Sequence, residues 1–225
     1  HHIEVCGEER NSYSKTDLEA TFMRMKEDHM RNGQLKPAYN VQIAVENYFI
    51  IHSYISNDRT DYNTLIPVIE KHKNAFGDIL KETTADSGYC SEKNLLYLKK
   101  NHIASYIKLQ DHEKRKTRAY KNDIGKYYNM EKRDSGDGKY YVCHDGRQLR
   151  HIRTEARKQE GYTQTFEVYG CADCSGCEHK ARCLYKYDAG KDAEKNKVMK
   201  INERWEELKE GSHANIQSEK GILNR

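Results

Sequence analysis

Composition and periodicity point to an α/β fold, in which a mixed sheet flanked by helices is interrupted by a small β-rich, cysteine-bearing insertion. Three observations carry this expectation. Val, Ile, Leu and Ala cluster between Tyr39 and Ile107, where strand-like and helix-like runs alternate, the pattern of a sheet with helices packed on it. From Lys108 to Arg157 the chain is instead mostly Lys, Arg, Asp, Glu and Tyr, too polar for a second core of comparable size. Four cysteines then crowd between Cys171 and Cys183. Hydrophobic side chains make up 36% of the 225 residues and charged ones 33%, so an ordered core has to be concentrated in one part of the chain.

Residues 1–35 read as a weakly structured lead-in with one short helical possibility, Leu18 to His29, in which Leu18, Phe22 and Met25 fall on one side. Gly33 and Pro37 punctuate the chain. Tyr39, Val41, Ile43 and Val45 alternate with smaller or polar residues, as a half-buried strand requires, and Asn47 turns the chain into a second strand, Tyr48 to Ile55. The polar segment Ser56 to Asp61 offers N-caps for a helix from about Tyr62 to Ala75, with Pro67 tolerated in its first turns and Gly77 ending it. A strand leads into Asp86-Ser87-Gly88-Tyr89, a helix runs from Ser91 to Asn101, and Ile103 to Ile107 forms a short strand. This order over residues 36–109 is consistent with a partial RNase H-like core and with other small α/β folds. Residues 110–195 form the insertion, with strands at Lys139–Cys143 and Gln164–Tyr169 separated by Asp-Gly turns and the basic run Arg147 to Lys158. Residues 196–225 hold a helix through Trp205 and Leu208 and a polar tail.

Asp86 is the residue singled out for chemistry. A carboxylate at the carboxyl end of a strand, followed by a turn and a helix, sits where open α/β folds place reactive groups. The competing reading is that it caps the helix beginning near Ser91. Glu46, at the end of the first hairpin strand, reads as solvated, and Asp17, Asp58 and Asp61 read as turn and cap residues.

The net charge of +4 excludes little, because 39 basic residues nearly cancel 35 acidic ones. Its distribution is more informative. Lys108 to Arg133 holds nine basic and four acidic side chains interleaved with Tyr120, Tyr127 and Tyr128, with Tyr106 just before it. Cations that neutralise phosphates and rings that stack on bases make this a candidate nucleic-acid surface, against the alternative of a solvated face. No apolar run is long enough to span a bilayer and the amino terminus lacks signal-peptide character, so the expected partner is not a membrane and the expected setting is the cytoplasm.

Cys171, Cys174, Cys177 and Cys183 follow a Cys-x2-Cys-x2-Cys-x5-Cys spacing, with Cys143 upstream at a strand end. Thiolates two residues apart reach one ion from a tight turn, and four complete a tetrahedral zinc shell. The preferred set is Cys143, Cys174, Cys177 and Cys183, with Cys171 as the substitute; an iron–sulfur cluster or free thiols are the rivals. A closed four-thiolate site is structural, so it argues for a module and not for a reaction. Cys6 and Cys90 stand alone as ordinary half-buried thiols, and His52, His72 and His102 share no ligand spacing.

Taken in order, Thr16-Asp17-Leu18-Glu19-Ala20, Lys36-Pro37-Ala38-Tyr39-Asn40-Val41-Gln42-Ile43-Ala44-Val45, Ala85-Asp86-Ser87-Gly88-Tyr89 and the cysteine cluster resemble bacterial insertion-sequence transposases of the DDE superfamily. The resemblance implies an RNase H-like core in which three carboxylates bind two Mg²⁺ or Mn²⁺ ions, hydrolysis of a phosphodiester at a transposon end, and strand transfer to target DNA. It also implies transposon-end and target DNA as partners, a homo-oligomeric assembly and a nucleoid-associated location. By the same resemblance Asp86 matches the second acid, while the strand motif of the first and the Glu-bearing helix motif of the last do not occur in this sequence. The chain is therefore expected to be an interior segment of a longer transposase and to be inactive alone. The alternative from another class is a non-catalytic, zinc-stapled nucleic-acid-binding protein.

Overall fold

A computed structural model describes residues 2–6, 13–25, 30, 33–136, 138–159 and 162–223. The fold is α/β, with helices and, among the described residues, four separate sheets. The chain divides into two units, one of His1–Leu109 with Ser212–Arg225 and the other of Gln110–Gly211.

The first unit begins with a short helix, α1 (His2–Cys6), and the hairpin of β1 (Thr21–Arg24) with β2 (Leu35–Ala38). The helix expected over Leu18 to His29 is not formed: Leu18 lies in a turn, Phe22 lies in β1, and residues 26–29 fall outside the described residues. The cause is local. The Asp17 carboxylate accepts the amide N–H groups of Glu19 at 3.1 Å and Ala20 at 3.3 Å, and takes the Tyr39 hydroxyl at 2.9 Å. Such an Asx turn competes with helix and releases the chain as a strand.

β3 (Asn40–Glu46) and β4 (Phe49–Ser56) form an antiparallel hairpin with a bulge at Ala44/Val45. Its two-residue loop uses left-handed backbone at Asn47 (φ 48°) and Tyr48 (φ 70°), the hand that a tight hairpin turn requires. The register gathers Val41, Ile43, Val45, Ile50 and Ile55 on one face. These alternate as expected, yet they point outward and are each 55–68% exposed. The opposite face, with buried Gln42 and Ser56, carries His52, whose ring meets His72 and Phe76 of α2 (Leu65–Phe76). α2 buries Leu65 and Ile69 and ends at Gly77, whose N–H bonds to the Lys73 carbonyl at 2.7 Å in left-handed backbone.

β5 (Glu82–Ala85) pairs in parallel with β6 (Ala104–Ile107), and α3 (Glu92–Lys100) makes the crossover between them. Leu95, Leu98, Ile103 and Ile107 are buried there, the apolar stripe of a crossover helix against its strands. Ser91 caps α3 by accepting the Asn94 N–H at 3.2 Å. The backbone of β6 is further held by the C-terminal segment: the Ser212 hydroxyl donates to the Ile107 carbonyl at 2.9 Å and accepts its N–H at 3.3 Å, and the Asn215 amide donates to the Ser105 carbonyl at 3.0 Å. One continuous mixed sheet was the expectation, but β3 hydrogen-bonds only to β4 and β5 only to β6, and among the described residues no strand joins the two pairs.

The second unit starts with two single-turn helices, α4 (His112–Arg115) and α5 (Arg118–Lys121). It then forms an antiparallel sheet of β7 (Glu131–Ser135), β8 (Gly138–Val142), β9 (Gln148–Gln159), β10 (Tyr162–Cys171) and β11 (Val198–Ile201), in the order β11-β10-β9-β8-β7. The single turn α6 (Lys180–Cys183) comes between β10 and β11 in the chain; α7 (Glu203–Gln217) begins in this unit, and its residues from Ser212, with α8 (Glu219–Leu223), belong to the first unit. The core of this sheet is built from Met130, Tyr141, Leu149, Tyr169, Cys171, Cys174, Met199 and Ile201. The basic run Arg147 to Lys158, expected to separate two strands, is itself the central strand β9. Some of its charges meet partners in the sheet: Glu155 pairs with Arg153 on β9 itself and with Lys200 on β11, and His151 meets Glu167 on β10 at 2.7 Å. Polar pairs along and between strands support a ladder that has little apolar surface. No helix among the described residues is long and apolar enough to cross a membrane.

Candidate active site

Asp86 follows directly on β5 and is exposed. It does not cap α3, a role that Ser91 fills. Its Oδ1 accepts the Gly88 N–H at 2.7 Å and so begins the 3₁₀ turn Ser87–Tyr89. Asp86 thus caps a turn with one oxygen in place of the helix expected from sequence, and stands at the carboxyl end of a parallel strand.

Behind this turn lies a polar network that no sequence spacing announces. The Asp61 Oδ1 accepts the side-chain amides of Asn40 at 2.8 Å and Gln42 at 3.0 Å. Gln42 also donates to Asn40 Oδ1 at 2.7 Å, and its own oxygen accepts the Tyr89 hydroxyl. Burial, and after it the negative charges of Asp61 and Asp86, push the Tyr89 phenol up to about 12. Fully buried Asn94 donates to the carbonyls of Tyr62 at 2.9 Å and Tyr89 at 2.8 Å, tying the turn to the 3₁₀ segment Asp61–Asn63. Gly88 sits in the middle: a Cβ there would stand 2.8 Å from Asp61 Oδ2 and 2.9 Å from Asp86 Oδ1. The glycine is needed for this close approach and not for a left-handed φ.

Of the other carboxylates weighed from sequence, Asp17 makes the turn already described. Asp58 accepts the Ser56 hydroxyl at 2.9 Å, and Glu46 is exposed at the end of β3. Asp61 departs from the turn-and-cap reading, because its carboxylate reaches residues 19 and 21 positions away.

In the second unit Cys143 follows β8 in a tight turn in which its N–H bonds to the Arg147 carbonyl at 2.9 Å. Arg147 in turn donates to the carbonyls of Asp173 and Ser175, each at 2.9 Å, joining that turn to the Cys171–Cys177 loop. The Cys174 sulfur accepts the Lys197 N–H at 3.3 Å, while the Cys171 thiol donates to the Asp173 carbonyl at 3.1 Å. Burial first, then a hydrogen bond with Cys174, pushes the Cys171 thiol up to about 11. Burial also raises the Cys183 thiol, with Cys143, Cys174 and Cys177 adding to the effect and Lys197 opposing it. The five cysteines therefore share one neighbourhood. Even so, among the described residues no three His, Cys, Asp or Glu side chains are gathered as a metal-holding group. That holds both for a carboxylate triad around Asp86 and for a zinc shell of Cys143, Cys174, Cys177 and Cys183, or with Cys171 as substitute.

Residues 142–225 match the family described as the transposase DDE domain. The match supports a transposase of the DDE family. No curated protein and no solved structure matches the chain. The stretch matched to the transposase family takes in the end of β8, the cysteine loop and the C-terminal helices, and leaves Asp86 outside it. Transposases of this family use divalent metal ions and act on DNA.

For a DNA partner the basic stretch Lys108 to Arg133 is less open than its composition implies. Arg115 pairs with Asp111 and Glu210, Lys116 with Glu113, Lys132 with Glu203 and Arg133 with Glu131. Tyr120 and Tyr128 stack on one another at 4.3 Å and 6°, which occupies one face of each ring that would otherwise meet a base. Lys114, Arg118, Lys121 and Lys126 are exposed.

Proposed function

We propose that this chain carries part of the catalytic apparatus of a DNA transposase, with Asp86 supplying one of the carboxylates that hold the divalent ions for phosphodiester hydrolysis and strand transfer. One observation carries the reading: a family match to a transposase DDE domain lies in the same chain as an exposed carboxylate at the carboxyl end of a parallel β-strand, followed by a helix. Hard Mg²⁺ takes oxygen ligands and a metal pair activates the attacking oxygen while stabilising the leaving one. Asp86 alone does not complete such a site, so the further acids are supplied from beyond these 225 residues or by an assembled partner. In a supercoiled-plasmid assay with Mg²⁺ or Mn²⁺, the chain by itself should neither nick nor join DNA. Robust cleavage that Asp86→Asn abolishes would overturn the idea of a partial site.

Zinc belongs to the same proposal as a structural ion on Cys143, Cys174, Cys177 and Cys183, with Cys171 as substitute. Its support is the ligand spacing and the shared neighbourhood of the thiols, and it requires them to draw closer than they stand in the structure. Titration with Co²⁺ should give the thiolate charge-transfer band of a four-sulfur site, reduced by Cys177→Ser. Absence of that band at stoichiometric Co²⁺ would leave free thiols as the correct account.

A further inference from the structure

The polar network behind Asp86 has a directional logic. Gln42 is buried and both hydrogens of its amide nitrogen are engaged, one by Asp61 Oδ1 and one by Asn40 Oδ1. Its orientation is thereby fixed, since a flipped amide would set its oxygen against two acceptors. The oxygen that remains receives the Tyr89 hydroxyl. Asp61 thus decides which way Gln42 points, and Gln42 decides where the tyrosine that closes the Ser87–Tyr89 turn is held.

Asp61 also touches the turn directly. Its second oxygen and Asp86 Oδ1 both lie close to the point where a Gly88 Cβ would stand, so the two oxygens are no more than about 6 Å apart, within the range over which like charges act on one another. Its carboxylate is not engaged in its own 3₁₀ segment, where the Asp61 carbonyl serves instead, accepting the Thr64 N–H at 3.1 Å and hydroxyl at 2.9 Å. A side chain that reaches 21 residues back to Asn40 and lies against a turn 27 residues ahead is tied to that turn's geometry.

We infer that Asp61 is a positioning residue for Asp86: anchored by Asn40 and Gln42, it holds the Gly88 turn from behind and sets the direction in which Asp86 presents its carboxylate to a divalent cation. The cation in that statement rests on the reading of Asp86 proposed above. The holding of the turn does not.

The test uses the 225-residue chain, with amide exchange at Gly88 and Tyr89 and Mn²⁺-induced broadening of the Gly88 resonance as readouts. Asp61→Ala should speed exchange at both amides about tenfold, the effect of losing roughly one buried hydrogen bond, and should weaken the broadening. Asp61→Asn keeps an oxygen for Asn40 and Gln42, so it should restore exchange protection while the Tyr89 phenol, relieved of a negative charge, ionises at lower pH. Gln42→Leu should reproduce the exchange effect and stands in should Asp61→Ala fail to fold. Unchanged exchange in both Asp61→Ala and Gln42→Leu overturns the inference, as does faster exchange that Asp61→Asn fails to restore. Faster exchange together with Mn²⁺ broadening that survives Asp86→Asn removes the metal reading of Asp86 and leaves the turn-holding role of Asp61 in place.

Discussion

Gly88 shows how much of the site depends on an absent side chain. Because a methyl group there would meet two carboxylate oxygens at under 3 Å, Gly88→Ala is expected to cost about 1–3 kcal/mol through overpacking. The urea midpoint of the chain measures this, and a loss under about 0.5 kcal/mol would place it among ordinary surface substitutions. Asp86-Ser87-Gly88-Tyr89 was legible in the sequence because turn residues and a following helix cap are local signals. The partners of Asp61 were not, because Asn40, Gln42, Asp61 and Tyr89 meet only through tertiary packing and no period links them. The cysteines lie between these cases: their spacing is visible at once, but it does not say how closely the thiols gather.

Among the elements, α3 was readable from its apolar stripe and its cap. Ser91→Ala should lower stability by about 1 kcal/mol, measurable as a shift of the thermal midpoint. β9 was not readable, since among its described side chains only Leu149 is fully buried and His151 and Glu155 are met by partners on β10 and β11 that a linear pattern does not display. The β3–β4 hairpin was legible in its alternation and misread in its direction: periodicity distinguishes two faces without saying which one is covered. The exposure of Val41 and Ile43 has a measurable consequence. Replacing both with Thr should change unfolding free energy by less than about 0.5 kcal/mol per site and reduce light scattering at high protein concentration, because an exposed apolar patch invites association. A loss above about 2 kcal/mol would show that the face is covered in solution.

For the molecule as a whole, the tyrosines set a boundary in pH. Tyr89 and Tyr141 are each pushed up to about 12, by burial first, and Tyr97, Tyr127 and Tyr128 are raised further, again by burial first. A phenol that resists ionisation only when folded stabilises the native state fully below its unfolded value near pH 10. That contribution is lost as pH rises through the folded value, because the unfolded chain releases its protons first. Loss of circular dichroism and the last part of the phenolate absorbance, that of these raised tyrosines, should therefore coincide above about pH 10; phenolate appearing fully while the fold persists would contradict the raised values.

The hydrogen bonds between Ser212 and both backbone groups of Ile107 mean that the chain leaves the first unit and returns to it at neighbouring points. The second unit is thus attached as a guest in a loop of its host. Such a guest is a natural place for exchange: its length and sequence can change while the distance its ends must span stays fixed, and lengthening a closed loop costs only slowly growing entropy. The host residues from Ser212 onward are made after the guest, so a guest that fails to fold keeps Ser212 from the backbone groups of Ile107.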